Sequence, residues 1–300
     1  SSFQSLVSSS KMDRPINKVL ITGATGGIGR EIALQFVRGG KDVYVTGRCQ
    51  NKLNDLVIEL NREKTHNDQM IGHFRFDVGW LTDIQNVMPQ ICAVKCDTVI
   101  FNAGIMFPKE PRQANEDDHP LMEDTLKTNV VGHFLMARHL LKEHKQPIRF
   151  VCLSSVTAKI PRWMRWKTSP TEFEDFFARS NLFTDGWTSY IDSKLGAIVM
   201  AQWLNEQERV SAVAVHPGVA TTNIVESIPS YQRRLLYPLT IFQRIDGPVA
   251  CAKNVIAAAR TTDDFTNKWI CHGTVTIPSL NDVQKISFMN FLHGLTNDFV

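Results

Sequence analysis

The chain has 300 residues, 43% of them hydrophobic and 21% charged, a balance that builds a sizeable core and excludes disorder as the main state. Lys+Arg 33 against Asp+Glu 30 leaves +3, too small and too evenly spread for an electrostatic nucleic-acid binder. Mean hydropathy is −0.15 and no apolar run reaches the ~18 residues of a membrane span, so no transmembrane helix is expected.

Residues 1–15 are serine-heavy and lack a basic segment followed by an apolar core, so they do not read as a secretory signal. They are expected to be a flexible tail or an appended remnant. From Asn17 the pattern changes. Lys18-Val19-Leu20-Ile21-Thr22 is a short apolar run closed by Gly23, and residues 29–37 then follow helical spacing up to Gly39-Gly40. Residues 42–46 predict a second strand, 52–60 a helix and 70–76 a third strand. Later buried runs lie at 99–101, 149–153, 210–215 and 269–271. This alternation predicts an α/β fold, a doubly wound parallel sheet with helices on both faces. No linker, charge block or repeat divides the chain, so 16–300 is expected to be one domain. Two aperiodic segments rich in Pro, aromatic and basic residues, near 156–188 and 223–246, read as insertions forming a substrate lid.

The six cysteines, Cys49, Cys92, Cys96, Cys152, Cys251 and Cys271, form no CxxC and several sit in apolar runs. They read as reduced thiols, and with no Asn-x-Ser/Thr sequon the expected location is cytoplasmic. The nine His form no ligand-like spacing, so no metal is expected; His216 reads as a loop residue beside the site. The basic and aromatic run 162–167 leaves peripheral membrane contact open, as well as packing on its own domain.

Thr22 to Gly29 lies between the first strand and the first helix. Glycines there allow a tight turn and close backbone approach to a pyrophosphate, which the helix N-terminus favours. The spacing of Gly23, Gly27 and Gly29 is neither G-x-G-x-x-G nor a Walker loop. At the end of the second strand, where a carboxylate would bind a ribose diol, stand Gly47 and Arg48. Arg48 suits a ribose 2′-phosphate and so favours NADP(H). Tyr190 and Lys194, four residues apart, share a helix face, and a nearby ammonium would lower the phenol's pKa. Ser154 and Ser155 follow the run 149–153, and Asn102-Ala103-Gly104 follow 99–101, at the strand ends that face a ligand crevice. Asn129 interrupts an otherwise apolar helical pattern.

Together these residues resemble the short-chain dehydrogenase/reductase family, over roughly 17–260 and in the family's order. Thr22 to Gly29 is similar to its TGxxxGIG turn, which brings in Thr25 and Ile28. Asp77-Val78 is similar to its adenine-contact position, and Asn102-Ala103-Gly104 to its NAG motif. Asn129, Ser155, Tyr190 and Lys194 resemble its catalytic tetrad, and Pro217, Gly218 and Thr222 its PGxxxT segment. The resemblance implies a Rossmann-type sheet with Tyr190 moving the proton. It implies that Lys194 holds the nicotinamide ribose and depresses Tyr190, that Ser155 orients the substrate oxygen, and that Asn129 holds a water. Tyr190 follows Ser155 by 35 positions, far more than in the shorter members. This resembles the retinol-dehydrogenase, WW-domain-oxidoreductase and protochlorophyllide-reductase branch, and implies a bulky apolar carbonyl or alcohol. Gly26 stands where a basic residue often favours NADP(H). The expected function is NADP(H)-dependent interconversion of carbonyl and alcohol. The alternatives are a catalytically silent NADP(H)-binding regulatory protein of the same fold, and an isomerase or dehydratase using the same Tyr-Lys pair. Self-association stays open.

Overall fold

Continuous apolar strands must be covered on both faces, and the computed structural model shows how this chain does it. Residues 14–106, 124–159, 186–218, 247–262, 269–271, 274–276 and 282–300 are described. Thr222, the run 162–167, the tail up to residue 13, most of the insertion 156–188 and all of 223–246 lie outside them.

The elements run β1 (Lys18–Ile21), α1 (Gly27–Arg38), β2 (Asp42–Gly47), α2 (Gln50–Arg62), β3 (Ile71–Arg75), α3 (Leu81–Val94) and β4 (Thr98–Phe101). Then come α4 (Asp124–Leu126), a π-helical turn (Lys127–Val131), α5 (Gly132–Glu143) and β5 (Ile148–Leu153). A 3-10 turn (Val156–Lys159), α6 (Gly186–Asn205), β6 (Val210–Val215), α7 (Gly247–Arg260) and β7 (Trp269–Cys271) follow. The chain closes with β8 (Thr274–Thr276), α8 (Asp282–Thr296) and a last 3-10 turn (Asn297–Phe299). The strand order is β3-β2-β1-β4-β5-β6-β7-β8. The first seven strands are parallel, and β8 pairs antiparallel with β7. The doubly wound parallel sheet is as expected, and β8 adds a short antiparallel strand at its edge. The expected lid segment also begins as the 3-10 turn and ends inside α6.

Alternation along each central strand splits the core in two. Leu20, Val99, Phe101, Phe150 and Cys152 face one layer with Phe134, Met200 and Leu292. Val19, Ile21, Ile100 and Val151 face the other with Ile32, Val37 and Val255. Every residue of β4 and β5 is buried, as expected of strands sandwiched between helix layers. None of the six cysteines forms a disulfide, and four of them are buried.

The order reverses between β1, whose other neighbour is β2, and β4, which leads on to β5. Adjacent connections then leave on opposite faces, and a crevice opens beyond the carboxyl ends of these strands. One wall of that region depends on Gly132, the first residue of α5. A Cβ there would lie 1.8 Å from the Val78 carbonyl oxygen, so helix and loop touch through bare backbone. Gly132→Ala must push α5 off the loop after β3. The expected cost is at the upper end of the ~1–3 kcal/mol typical of overpacking, read as a lowered midpoint in urea unfolding. A midpoint equal to wild type would show that this contact is slack.

Candidate active site

Each loop leaving the carboxyl edge carries residues expected from the sequence. After β1, Gly23 and Gly27 have φ of 64° and 56°, a region that glycine tolerates. The Asn102 side-chain amide crosses from the end of β4 and donates to the carbonyls of Thr22 at 2.9 Å and Gly23 at 3.1 Å. A Cβ on Gly29 would lie 2.5 Å from that amide nitrogen, which explains the third glycine. Thr25 is half-buried and Ile28 packs partly on the core. The N-terminus of α1 has no side-chain cap and no acidic residue in its first turn. Its positive end is therefore left for an anion.

Arg48, exposed at the end of β2, places Nη1 3.5 Å from Asp77 Oδ2. Asp77 Oδ1 accepts from the Gly79 N–H at 2.9 Å, and Val78 is buried beside it. A cavity of about 520 Å³ here is lined by Arg48, His73, Arg75, Phe76, Asp77 and Val87, among others. A neighbouring cavity of about 390 Å³ is lined by Arg48, Cys49, Gln50, Asn51 and Arg75. It opens at the N-terminus of α2, which also lacks a side-chain cap and an acidic first turn. Arg75 is a cation that the sequence reading missed. Its Nε donates to the Arg48 carbonyl at 3.3 Å, and only the pairing of β2 with β3 brings the two together.

The tetrad residues converge from three elements. Asn129 sits in the π-helical turn, where the Gly132 N–H reaches back to the Lys127 carbonyl. Its Oδ1 accepts from the Ile105 N–H at 2.8 Å. Its Nδ2 donates to the Ile105 carbonyl at 3.1 Å and to Ser193 Oγ at 2.9 Å. A Cβ on Gly104 would lie 3.3 Å from Asn129 Oδ1 and 3.5 Å from Lys194 Nζ, so these groups meet over bare backbone. The Ala103 N–H donates to Thr22 Oγ1 at 3.0 Å. After β5, Ser154 Oγ donates to the Lys194 carbonyl at 2.7 Å, a structural tie. Ser155 instead receives the Thr157 N–H at 3.3 Å and donates to the Tyr190 phenol. Lys194 Nζ donates to the Leu153 carbonyl at 3.2 Å and lies 5.4 Å from the Tyr190 ring centroid.

The expected direction of the Tyr190 shift is reversed. Burial pushes the phenol up to about 12, and the hydrogen bond from Ser155 opposes that rise. Burial also pulls Lys194 down to about 8, because a buried ammonium has lost its water. Residue spacing shows which groups are neighbours but not how much solvent they lose, and here the desolvation is the larger effect.

After β6, the His216 N–H donates to the Ile270 carbonyl at 2.8 Å, Pro217 is buried and Gly218 has φ of 113°. Asn254 of α7, which no motif flagged, donates to the Pro217 carbonyl at 2.8 Å and holds this loop. The bare glycine turn, the uncapped helix ends and the basic cavities fit a dinucleotide lying across β1 and β4. Among the described residues, no three His, Cys, Asp or Glu side chains gather as metal ligands, and no helix is long and apolar enough to cross a membrane.

Known proteins resemble this chain in sequence and in fold. Mouse retinol dehydrogenase 12 is 30% identical over 232 residues, covering 75% of this chain and 67% of its own. Human retinol dehydrogenase 13 is 28% identical over 222 residues, covering 72% of this chain and 62% of its own length. The crystal structure of a short chain dehydrogenase from Burkholderia cenocepacia J2315 in complex with NADP superposes with a TM-score of 0.61. It is 18% identical and covers 82% of this chain and 91% of that one, a likeness of fold. The short chain dehydrogenase family profile matches residues 17–166, the span that holds the glycine turn, Asn102-Ala103-Gly104, Asn129 and Ser155. With the sheet order and the convergence of Ser155, Tyr190 and Lys194, that match makes this chain a member of the short chain dehydrogenase family.

Proposed function

We propose that this protein interconverts a carbonyl and an alcohol with NADP(H), on a bulky apolar substrate such as a retinoid, steroid or other lipid-like carbonyl. The observation that carries the reading is the meeting of Ser155, Tyr190 and Lys194 at the carboxyl edge of the sheet. When bound, the nicotinamide would supply or accept the hydride. Gly23, Thr25, Gly27, Ile28 and Gly29 would hold the pyrophosphate, and Asp77, Val78, Asn102, Ala103 and Gly104 the adenosine half and its ribose. Pro217, Gly218 and Thr222 would receive the carboxamide end. Arg48 would take a ribose 2′-phosphate, with Arg75 as a second cation at the same cavity.

Tyr190 is well suited to giving a proton. With its pKa raised to about 12, it is a phenol throughout the neutral range and can protonate an alkoxide as it forms. Ser155, which donates to the Tyr190 phenol, would orient the substrate carbonyl beside it. Lys194, protonated below about 8, supplies positive charge under the Tyr190 ring. The apolar-substrate reading draws on the names of the retinol dehydrogenases and on the apolar residues of 223–246.

Three experiments test it. Tyr190→Phe keeps the ring and removes the proton, so reduction of a retinal-class aldehyde by NADPH should fall about 10²–10⁴-fold while NADPH still binds. In wild type the rate should decline as pH rises through about 8, where Lys194 loses its charge. Near wild-type turnover by Tyr190→Phe would remove Tyr190 from the chemistry. Arg48→Asp should weaken NADPH binding about ten- to hundredfold and improve use of NADH, because a carboxylate repels the phosphate and accepts from a free diol. An unchanged coenzyme preference would end the assignment of Arg48.

A further inference from the structure

His133 lies one helical turn after Asn129 and is 1% exposed. Its ring stacks on Phe101, the last residue of β4, with centroids 4.7 Å apart. Nε2 lies 2.9 Å from Thr22 Oγ1, and Nδ1 lies 3.2 Å from the Asn129 carbonyl oxygen. Thr22 Oγ1 already accepts two backbone N–H groups, those of Asn102 and Ala103, each at 3.0 Å. Its two lone pairs are therefore used, and its proton has two acceptors within reach. His133 Nε2 at 2.9 Å is nearer than the Ile100 carbonyl at 3.4 Å. A carbonyl can only accept, so the proton on the ring must sit on Nδ1, facing Asn129. One neutral tautomer satisfies every atom of the set. A second ring proton would point Nε2–H at an oxygen with no acceptor site left. Burial works in the same sense, pulling the imidazole down to about 3, with the Lys194 charge adding to it and the bond to Asn129 opposing it.

The ring therefore joins two parts of the site that the chain builds separately. On one side, Thr22 begins the glycine turn and fixes the loop after β4. On the other, Asn129 ties Ile105 to Ser193, whose hydroxyl donates to the Tyr190 carbonyl at 2.7 Å. We propose that His133 is a positioning residue: it holds the Asn129 backbone against Thr22, so that the coenzyme floor and the Tyr190 helix are set by one continuous hydrogen-bond chain. The proposal rests on the coenzyme reading of this site. It predicts that coenzyme affinity and turnover fail together when the ring nitrogens are lost, although His133 belongs to neither set of contact residues.

The test uses the full 300-residue chain and two variants of it. In nitrogen-resolved NMR, the His133 ring should show the Nδ1–H neutral form with no titration between about pH 5 and 8. In His133→Phe, which keeps a ring against Phe101, amide exchange at Asn102 and Ala103 should quicken. NADPH affinity and kcat should each fall about tenfold. His133→Gln can both accept from Thr22 and donate to Asn129, and it should recover much of each loss. Titration of the ring near its ordinary pKa would overturn the proposal. So would a His133→Phe variant that lowers Tm alone, with NADPH affinity and kcat per folded molecule unchanged. If wild type neither binds NADPH nor reduces any carbonyl, the coenzyme reading fails, while the NMR and exchange results still decide the role of His133.

Discussion

The side-chain amide of Asn129 is the cross-link on which the rest of the site depends. It accepts from one peptide of the loop after β4, donates back to the same residue, and reaches the Ser193 hydroxyl on the Tyr190 helix. Three segments distant in sequence are thereby held within one hydrogen bond of each other. All of these atoms lie at or near the buried interior, where an unmade bond costs about 1–3 kcal/mol. The π-helical turn around Asn129 is consistent with this demand. A regular helix offers its side chains at fixed angles, and a local widening re-aims one of them.

The electrostatics of the site follow from the same burial. Tyr190 and Lys194 are removed from water together, and each is pushed toward its neutral form, the phenol upward and the ammonium downward. Neighbouring hydrogen-bond donors offset part of this for Tyr190, through Ser155. Lys194 keeps only a carbonyl partner, Leu153, among its hydrogen bonds on the described residues. A site that holds a proton donor and a labile cation side by side suits delivery of a proton to a new alkoxide. At the far wall the balance differs. Arg48 stays exposed and is held only loosely by Asp77 at 3.5 Å.

Much of this was legible in the residues. β4 and β5 show as short unbroken apolar runs because both faces are covered, and polar residues immediately after them stand out as crevice residues. The resemblance singled out Ser155 over Ser154; in the structure Ser154 Oγ donates to the Lys194 carbonyl and Ser155 Oγ accepts from the Thr157 N–H. What the residues could not show depends on packing across the sheet. Arg75 meets Arg48 only through β2–β3 pairing, and Gly132 is needed only because Val78 passes over it. The direction of the Tyr190 shift was misread because spacing reveals the nearby charge and conceals the loss of water. His133 did leave a signal. It is a second polar residue four positions after Asn129 in the same apolar pattern, and it was passed over at the level of sequence.

Direct transfer of label tests the central claim, that this site moves hydride between a nicotinamide and a carbonyl while Tyr190 moves the proton. NADPH carrying deuterium at both hydrogen positions of the reactive nicotinamide carbon would be mixed with a retinal-class aldehyde and wild-type protein in ordinary water, and the alcohol analysed by mass spectrometry. The account predicts one deuterium on the carbinol carbon and none lost to solvent. An unlabelled alcohol, or no alcohol while NADPH remains bound, would contradict it.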